Sequence, residues 1–521
     1  MKMKSLTIIF SMILMLVASS AMAQNYTLED VGRNSLRNSG TIVDGNVIKG
    51  YFYFYYSEKV SRKTANYQIV ILDEDLKEKA SETLTESKYT TLLEASYNGS
   101  TILFKFLDGK ERTVFYRTMD KNGKLSDKQT REANKYEFMM YSANVSKNLK
   151  NVNVNSVSKD YFVDVYTFKE KKYTYKAVCL DNSGKEVWTY NGPVEKGVNT
   201  GAYFAGNKDQ VILLTGKSKS IMSRDYTFNL INLNMDGELN YELELETSKY
   251  TLLPHNAFIS DKNGDMTILG EYYDADDKSM KAESKGLFVK VVDENGDKIS
   301  DKYISWSRDI GSKVSSEDRR EVENYSIYFH DVQMTKSGKI IAIGEQYRKQ
   351  LSAGGTAMKL LAAASGNVST NASSLEMKIG KMFVVTLDEN YDVGTVEILD
   401  KKPRRVVLPQ EYALVNRHLM AKLMAAEGSF DYSFTQTNED MTLVSVGYTD
   451  SEKEKGKLMK QSKFHLVNFS DGEEEPVKDK IDLETEASDL YVMPAKPGFL
   501  LIAEYYRKEG KIELKLEPIN F

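Results

Sequence analysis

The chain has 521 residues, one cysteine and a net charge of −5, from 70 Lys and Arg against 75 Asp and Glu. That balance leaves no basic excess to neutralise phosphates, so nucleic acid is not an expected partner, and the lone Cys179 excludes an intramolecular disulfide. The length exceeds what one hydrophobic core usually sustains, while 33 Tyr, 21 Phe and only 8 Pro favour strands with half-buried aromatic faces.

Residues 1–23 read as an export signal: Lys2 and Lys4, an apolar run from Leu6 to Val17, then the small-x-small site Ala21-Met-Ala23. The run is about 12 residues, too short for a permanent span. No later stretch is long and apolar enough, and no cysteine follows the cleavage site, so neither an integral membrane anchor nor a lipid anchor is expected. Residues 24–521 are then one exported domain, periplasmic or extracellular.

A hairpin recurs along that domain, an apolar strand entering a tight acidic or Gly turn and a more polar strand leaving it. The turns follow Leu72 (Asp73-Glu-Asp-Leu76), Met119 (Asp120-Lys-Asn-Gly123), Leu180 (Asp181-Asn-Ser-Gly184) and Leu233 (Asn234-Met-Asp-Gly237). Three more are Asp293-Glu-Asn-Gly296, Asp388-Glu-Asn-Tyr391 and Phe469-Ser-Asp-Gly472. Another strand pair precedes each hairpin, so the unit has four strands and the chain is an array of sheets. Second strands such as Ile268-Leu-Gly-Glu-Tyr-Tyr273, Ile341 to Tyr347 and Leu501 to Tyr506 are apolar nearly throughout, which requires cover on both faces.

On these residues the chain resembles a β-propeller. The predicted fold is all-β, about eight four-stranded blades with seven as runner-up and two successive sandwiches as the competing architecture. The last unit, Leu490 to Leu516, has three strands, and Tyr26–Val31 is expected to supply the fourth. Ala177-Val-Cys-Leu-Asp-Asn-Ser-Gly-Lys-Glu-Val-Trp188 is similar to the blade motif of quinoprotein-like propellers, in which the tryptophan docks on an adjoining blade. Only this unit keeps the tryptophan, and no cofactor is expected. The whole chain resembles the uncharacterised exported propeller-like families of Gram-negative bacteria.

Antiparallel parity puts first-to-second and third-to-fourth turns on one face, and these are short. Second-to-third and unit-to-unit connections occupy the other and are long: 274–285, 305–325, 449–462, and insertions at 349–381 and 401–430. The second insertion reads as an amphipathic helix begun by Pro409, carrying Tyr412, Val415, Leu419 and Leu423, and capped by Gly428. Long loops on a rigid scaffold are where binding usually resides. Glu271, Tyr273, Glu345, Tyr347, Glu504 and Tyr506 end second strands towards that face, and His330 is read near the start of a first strand. They form the candidate ligand-binding set, with Tyr rings to stack and carboxylates to orient polar groups. The alternative is inter-blade ion pairing and packing.

None of His255, His330, His418 and His465 shows metal-ligand spacing. Asp261-Lys-Asn-Gly-Asp265 and Asp293-Glu-Asn-Gly-Asp297 read as two-residue Asn-Gly hairpin turns rather than calcium loops. Cys179, in an apolar strand, reads as an inert buried thiol. With no nucleophile motif, the leading reading is a non-enzymatic binding or scaffold protein whose loop-rich face contacts a carbohydrate, peptide or envelope protein. The alternative is a polysaccharide hydrolase or lyase using carboxylates and Tyr.

Overall fold

The computed structural model describes residues 24–32, 38–146, 154–220, 225–260, 262–280, 282–351, 375–408, 417–454, 457–473 and 475–519. The leader, most of the first insertion, and Pro409, Tyr412 and Val415 of the second lie outside the described residues.

Strands follow one another as eight four-stranded antiparallel units; a parallel contact, Tyr173↔Val198, joins units 3 and 4 into one eight-stranded sheet, and Arg404–Val407 adds a fifth strand to unit 6. Blade 1 spans 39–87, blade 2 90–132, blade 3 154–191, blade 4 198–244, blade 5 250–305, blade 6 326–399, blade 7 432–484 and blade 8 489–518. Within blades 1 to 7 the four main strands are neighbours in chain order, whereas Greek-key sandwiches interleave them. This is the meander of β-propeller blades, eight in number. Blade 8 takes its fourth strand from the beginning of the domain: Asn25–Leu28 pairs with the last strand, from Asn25↔Lys515 to Leu28↔Ile512. Blades 1 and 8 form one compact unit and blades 2–7 another. In the first, Leu28, Val31, Tyr51, Tyr53, Leu72, Leu501 and Leu514 share a core.

Second and third strands are buried along nearly their whole length, as Thr101–Asp108 and Gly286–Val292 show, because adjoining sheets cover both faces. The turns between third and fourth strands are not the two-residue hairpins the Asn-Gly pairs suggest. In six of them the leading Asp or Asn bonds through Oδ1 to the backbone N–H groups two and four residues on. Only the fourth position is left-handed: Gly123 (φ +81°), Gly184 (+77°), Gly237 (+81°) and Gly296 (+85°), with Leu76 (+60°) and Tyr391 (+62°) in the two turns without glycine. An Asx-led turn with a bulge fits these bonds, and it occupies the Asp293 oxygen that a calcium loop needs free.

These turns also lock blade to blade. Trp188 donates its indole N–H to Met235 O at 2.8 Å, and its ring lies where a Cβ on Gly237 would be (2.7 Å). Tyr241 sits likewise against Gly296 in the next blade. Lys302 reaches Asn390 O and Asp392 one blade further, and Asp471 bonds Ser337. The docking seen once in the sequence as a tryptophan is therefore repeated with other side chains.

Three α-helices are present among the described residues: α1 (Lys135–Ser146), α2 (Ser316–Asn324) and α3 (Arg417–Ala426). In α3 the buried stripe is Met420, Ala421 and Met424, against Tyr347, Met377, Ile379 and Phe430, while Leu419 is exposed. The sequence reading is rotated because it weighted leucine above methionine and alanine. Gly428 at φ +68° closes the helix, its N–H bonding Ala425 O while Ser429 N bonds Met424 O. The long connections meet at blades 5 and 6. Arg417 of α3 bonds Glu283 of loop 274–285 and Ser326, and Lys381 bonds Asp318 of α2 and Asp400.

Candidate functional site

The first strands of blades 5 and 6, Tyr250–Ile259 and Ser326–Met334, each contain a β-bulge, and each bulge falls at a histidine. A bulge re-aims the extra side chain, and both histidines reach the glutamate of the neighbouring strand. His255 Nε2 lies 3.0 Å from Glu271 Oε2, and His330 Nε2 lies 3.2 Å from Glu345 Oε2. His330 is thus mid-strand, not at a strand start. Same motif, different surroundings.

In blade 6 the carboxylate is sealed. Glu345 is 0% exposed and meets Lys401 Nζ at 2.8 Å, while the backbone N–H groups of Asp431 and Tyr432 donate to it. Lys401 also meets Asp431 (2.6 Å), which pairs with Arg404 (2.7 Å). His330 stacks on Tyr432 with centroids 4.5 Å apart, between the edges of Tyr328 and Phe430. Burial alone raises the carboxyl's pKa, but Lys401 and His330 outweigh it and hold Glu345 below its ordinary range. Every carboxylate oxygen of Glu345 and Asp431 has a partner, and the cluster reads as a structural anchor.

In blade 5 the carboxylate is linked to a cleft. Glu271 Oε1 accepts from Ser284 Oγ (2.6 Å), which accepts from the indole N–H of Trp306 (2.7 Å). Ser284 and Trp306 line a cleft of about 550 Å³ with Tyr250, Tyr272, Tyr325 and Ser326. Its walls are loop 274–285 and the single π-helical turn Trp306–Ile310 that opens the connection to α2. Phe329 stacks on one face of Trp306 (centroids 6.2 Å, planes 11° apart). Tyr272 contacts Tyr250 and Tyr303, and burial raises the Tyr272 hydroxyl above its ordinary pKa. Below the relay, the His255 ring is 5.6 Å from that of His418 on α3.

Of the sequence-predicted set, Glu271 lies under this cleft. Tyr273 is buried with Leu253 and Met280, and Tyr347 is buried against α3 with its hydroxyl on Ser326. Glu345 and His330 belong to the sealed anchor. Glu504 and Tyr506 are in the other compact unit, half-buried, with the Tyr506 hydroxyl 3.3 Å from Glu504. The sequence reading missed Tyr250, Tyr272, Ser284, Trp306 and Tyr325. One signal was available: Trp306 is one of two tryptophans and stands at the mouth of a long polar connection. Among the described residues, no three His, Cys, Asp or Glu side chains converge to hold a metal ion, and no helix is long and apolar enough to cross a membrane.

Sheet order and cleft together define a β-propeller with an aromatic cleft between two blades on its loop-bearing side. The chain belongs to the family of unknown function DUF6770, whose model matches residues 1–520. No curated protein matches it. Among solved structures it is similar to the WD40 domain of SCAP from fission yeast, at 9% identity over 94% of this chain and 97% of that one, TM-score 0.38. It is also similar to the WD40 domain of Toxoplasma gondii coronin (8% identity, 95% and 86%, TM-score 0.32). A third is prolyl oligopeptidase B from Galerina marginata, at 7% identity over 92% of this chain and 57% of that enzyme, TM-score 0.40. Likenesses this distant carry no argument about activity, and the fold assignment rests on the sheets themselves.

Proposed function

We propose that the protein is an exported, non-enzymatic binding or scaffold protein that captures a carbohydrate, peptide or envelope protein on the loop-bearing side of its propeller. The observation that carries this reading is the cleft walled by loop 274–285 and the connection after blade 5, with four aromatic rings in its lining. A rigid scaffold with long loops and a few convergent polar groups is the usual form of a binding site. The chemistry of the carboxylates favours binding over hydrolysis. A glycosidase acid needs a raised pKa, whereas Glu345 is held low by Lys401 and His330 despite its burial, and the carboxyls that burial raises, Asp331 and Asp431, do not line the cleft.

The test uses the chain from Gln24 onward, immobilised and exposed to solubilised envelope material from the producing cells. Wild type should retain a defined species that a Trp306→Ala variant of unchanged melting temperature loses. Identical retention by both proteins would remove the cleft from the function. Release of new reducing ends from polysaccharide would replace binding with catalysis. Amino-terminal sequencing of protein recovered outside the cytoplasm should begin at Gln24.

A further inference from the structure

We infer that the ligand of this cleft is an uncharged saccharide, an inference that rests on the binding reading above. Charge comes first. Lys285 of the lining meets Asp274 at 2.9 Å, and Glu283 of the lining meets Arg417 at 3.0 Å. Each of these cations is matched by its own carboxylate, so the four groups sum to zero. Two further cations, Arg348 and Lys378, lie over the Tyr325 ring and are not part of the lining.

Backbone recognition is restricted as well. Peptides often bind by adding a strand to an open edge, but three of the amides at the cleft are already bonded. Lys285 N donates to Tyr272 O (2.8 Å), Trp306 N to Lys285 O (3.0 Å) and Ser305 N to Asp309 Oδ2 (2.8 Å). What remains is ring surface on the partly exposed Tyr250, Trp306 and Tyr325, with hydroxyls at Ser305, Ser307 and Ser326 that bond one another or accept from Arg308 and Arg417 and keep oxygen lone pairs for a ligand. Sugar rings require that pairing, with C–H faces laid on aromatic rings and hydroxyls exchanging hydrogen bonds at the rim.

Trp306 is prepared for this role before any ligand arrives. Its N–H is held by Ser284, Ser284 by Glu271 and Glu271 by His255, so the indole plane is fixed and its polar atom is occupied. What it presents is ring surface. A ring held in place loses little freedom on binding, which is how preorganisation raises affinity. Glu271 and His255 are positioning residues here.

The experiment titrates the chain from Gln24 onward with neutral hexasaccharides of the malto-, cello-, xylo-, laminari- and chito- series. Oligogalacturonate and a random dodecapeptide pool are the other arms. Readouts are tryptophan emission and calorimetry. The expected result is saturable binding of at least one neutral sugar with a shift in emission. Trp306→Ala should abolish the shift, and Tyr250→Ser should weaken binding about tenfold or more. Should Trp306→Ala fail to fold, Tyr250→Ser and Ser284→Ala decide the matter. Neutral-sugar binding untouched by these variants overturns the assignment of the site. Cleft-dependent binding of oligogalacturonate or peptide alone overturns the ligand class and leaves the binding reading standing. Silence from every probe overturns the ligand class too. The binding reading survives that silence only while envelope capture still depends on Trp306.

Discussion

Replacing Lys401 with methionine tests the anchor between blades 6 and 7. The ammonium is 0% exposed and lies 2.8 Å from Glu345 and 2.6 Å from Asp431. Removing one partner of a buried ion pair costs about 3–5 kcal/mol, because the other charge stays buried. Here Glu345 retains His330 and two backbone donors, and Asp431 retains Arg404, so the expected loss is near the lower end, ~3 kcal/mol. Urea unfolding at pH 7 should show it as a lower midpoint with unchanged slope. The exposed pair Lys478–Glu397 is the control, and Lys478→Met should stay within about 0.5 kcal/mol of wild type. The pH dependence gives a second, signed test. In wild type the folded Glu345 pKa is depressed, so its contribution is present above the unfolded value of ~4.3 and lost as pH falls through the folded value. In the Lys401→Met variant burial acts without the opposing ammonium, the folded pKa lies above the unfolded one, and the penalty is relieved as pH falls. Between about pH 4 and 6 the stability difference between the two proteins should therefore narrow. A loss under about 1 kcal/mol at pH 7, or a gap that widens on acidification, would refute the reasoning.

Gly237→Ala should cost about 1–3 kcal/mol, because the position has φ +81° and a Cβ would lie 2.7 Å from the Trp188 ring. Urea midpoints read the loss, and a shift in Trp188 emission confirms its cause. Cys179 is buried and its thiol is pushed up to about 12, so it should resist iodoacetamide at pH 8 and react once urea unfolds the chain. Starting the chain at Gly32 removes Leu28 (3% exposed) and Val31 (1%) from the core of blades 1 and 8, a loss of about 3–6 kcal/mol at 1.5–3 per side chain. Hydrogen exchange should locate that loss in Lys511–Pro518, whose partner strand is gone.

The fold was legible because its signals are local and repeated. Seven tight turns between third and fourth strands, with their apolar approach strands, and the remnant at Leu490–Leu516 give the number of blades. The three-stranded remnant at Leu490–Leu516 points to a strand such as Asn25–Leu28. Two helices were missed although their caps are in the sequence: Asn134 with Glu137 opens α1, and Ser315 with Asp318 opens α2. Apolar periodicity is silent in Ser316–Asn324, where Val322 is the sole aliphatic side chain. The cleft was harder. Tyr250, Ser284, Trp306 and Tyr325 stand on four separate segments, and only the path between blades 5 and 6 brings them together. The Glu-Tyr repeat of the second strands led to four buried residues in blades 5 and 6 and two half-buried ones in blade 8. Repetition there follows the strand packing that blades 5, 6 and 8 share, while a binding site is particular to one place.

The pairing of Asn25–Leu28 with Ile512–Lys515 sets a clock on biogenesis. A strand that emerges first has no hydrogen-bonding partner until translation has supplied nearly all the rest. At 5–20 residues per second that interval is roughly 25–100 s. Until then blade 1 adjoins an unfinished neighbour, and a chain stopped before Ile512 leaves Leu28 and Val31 without the core they enter.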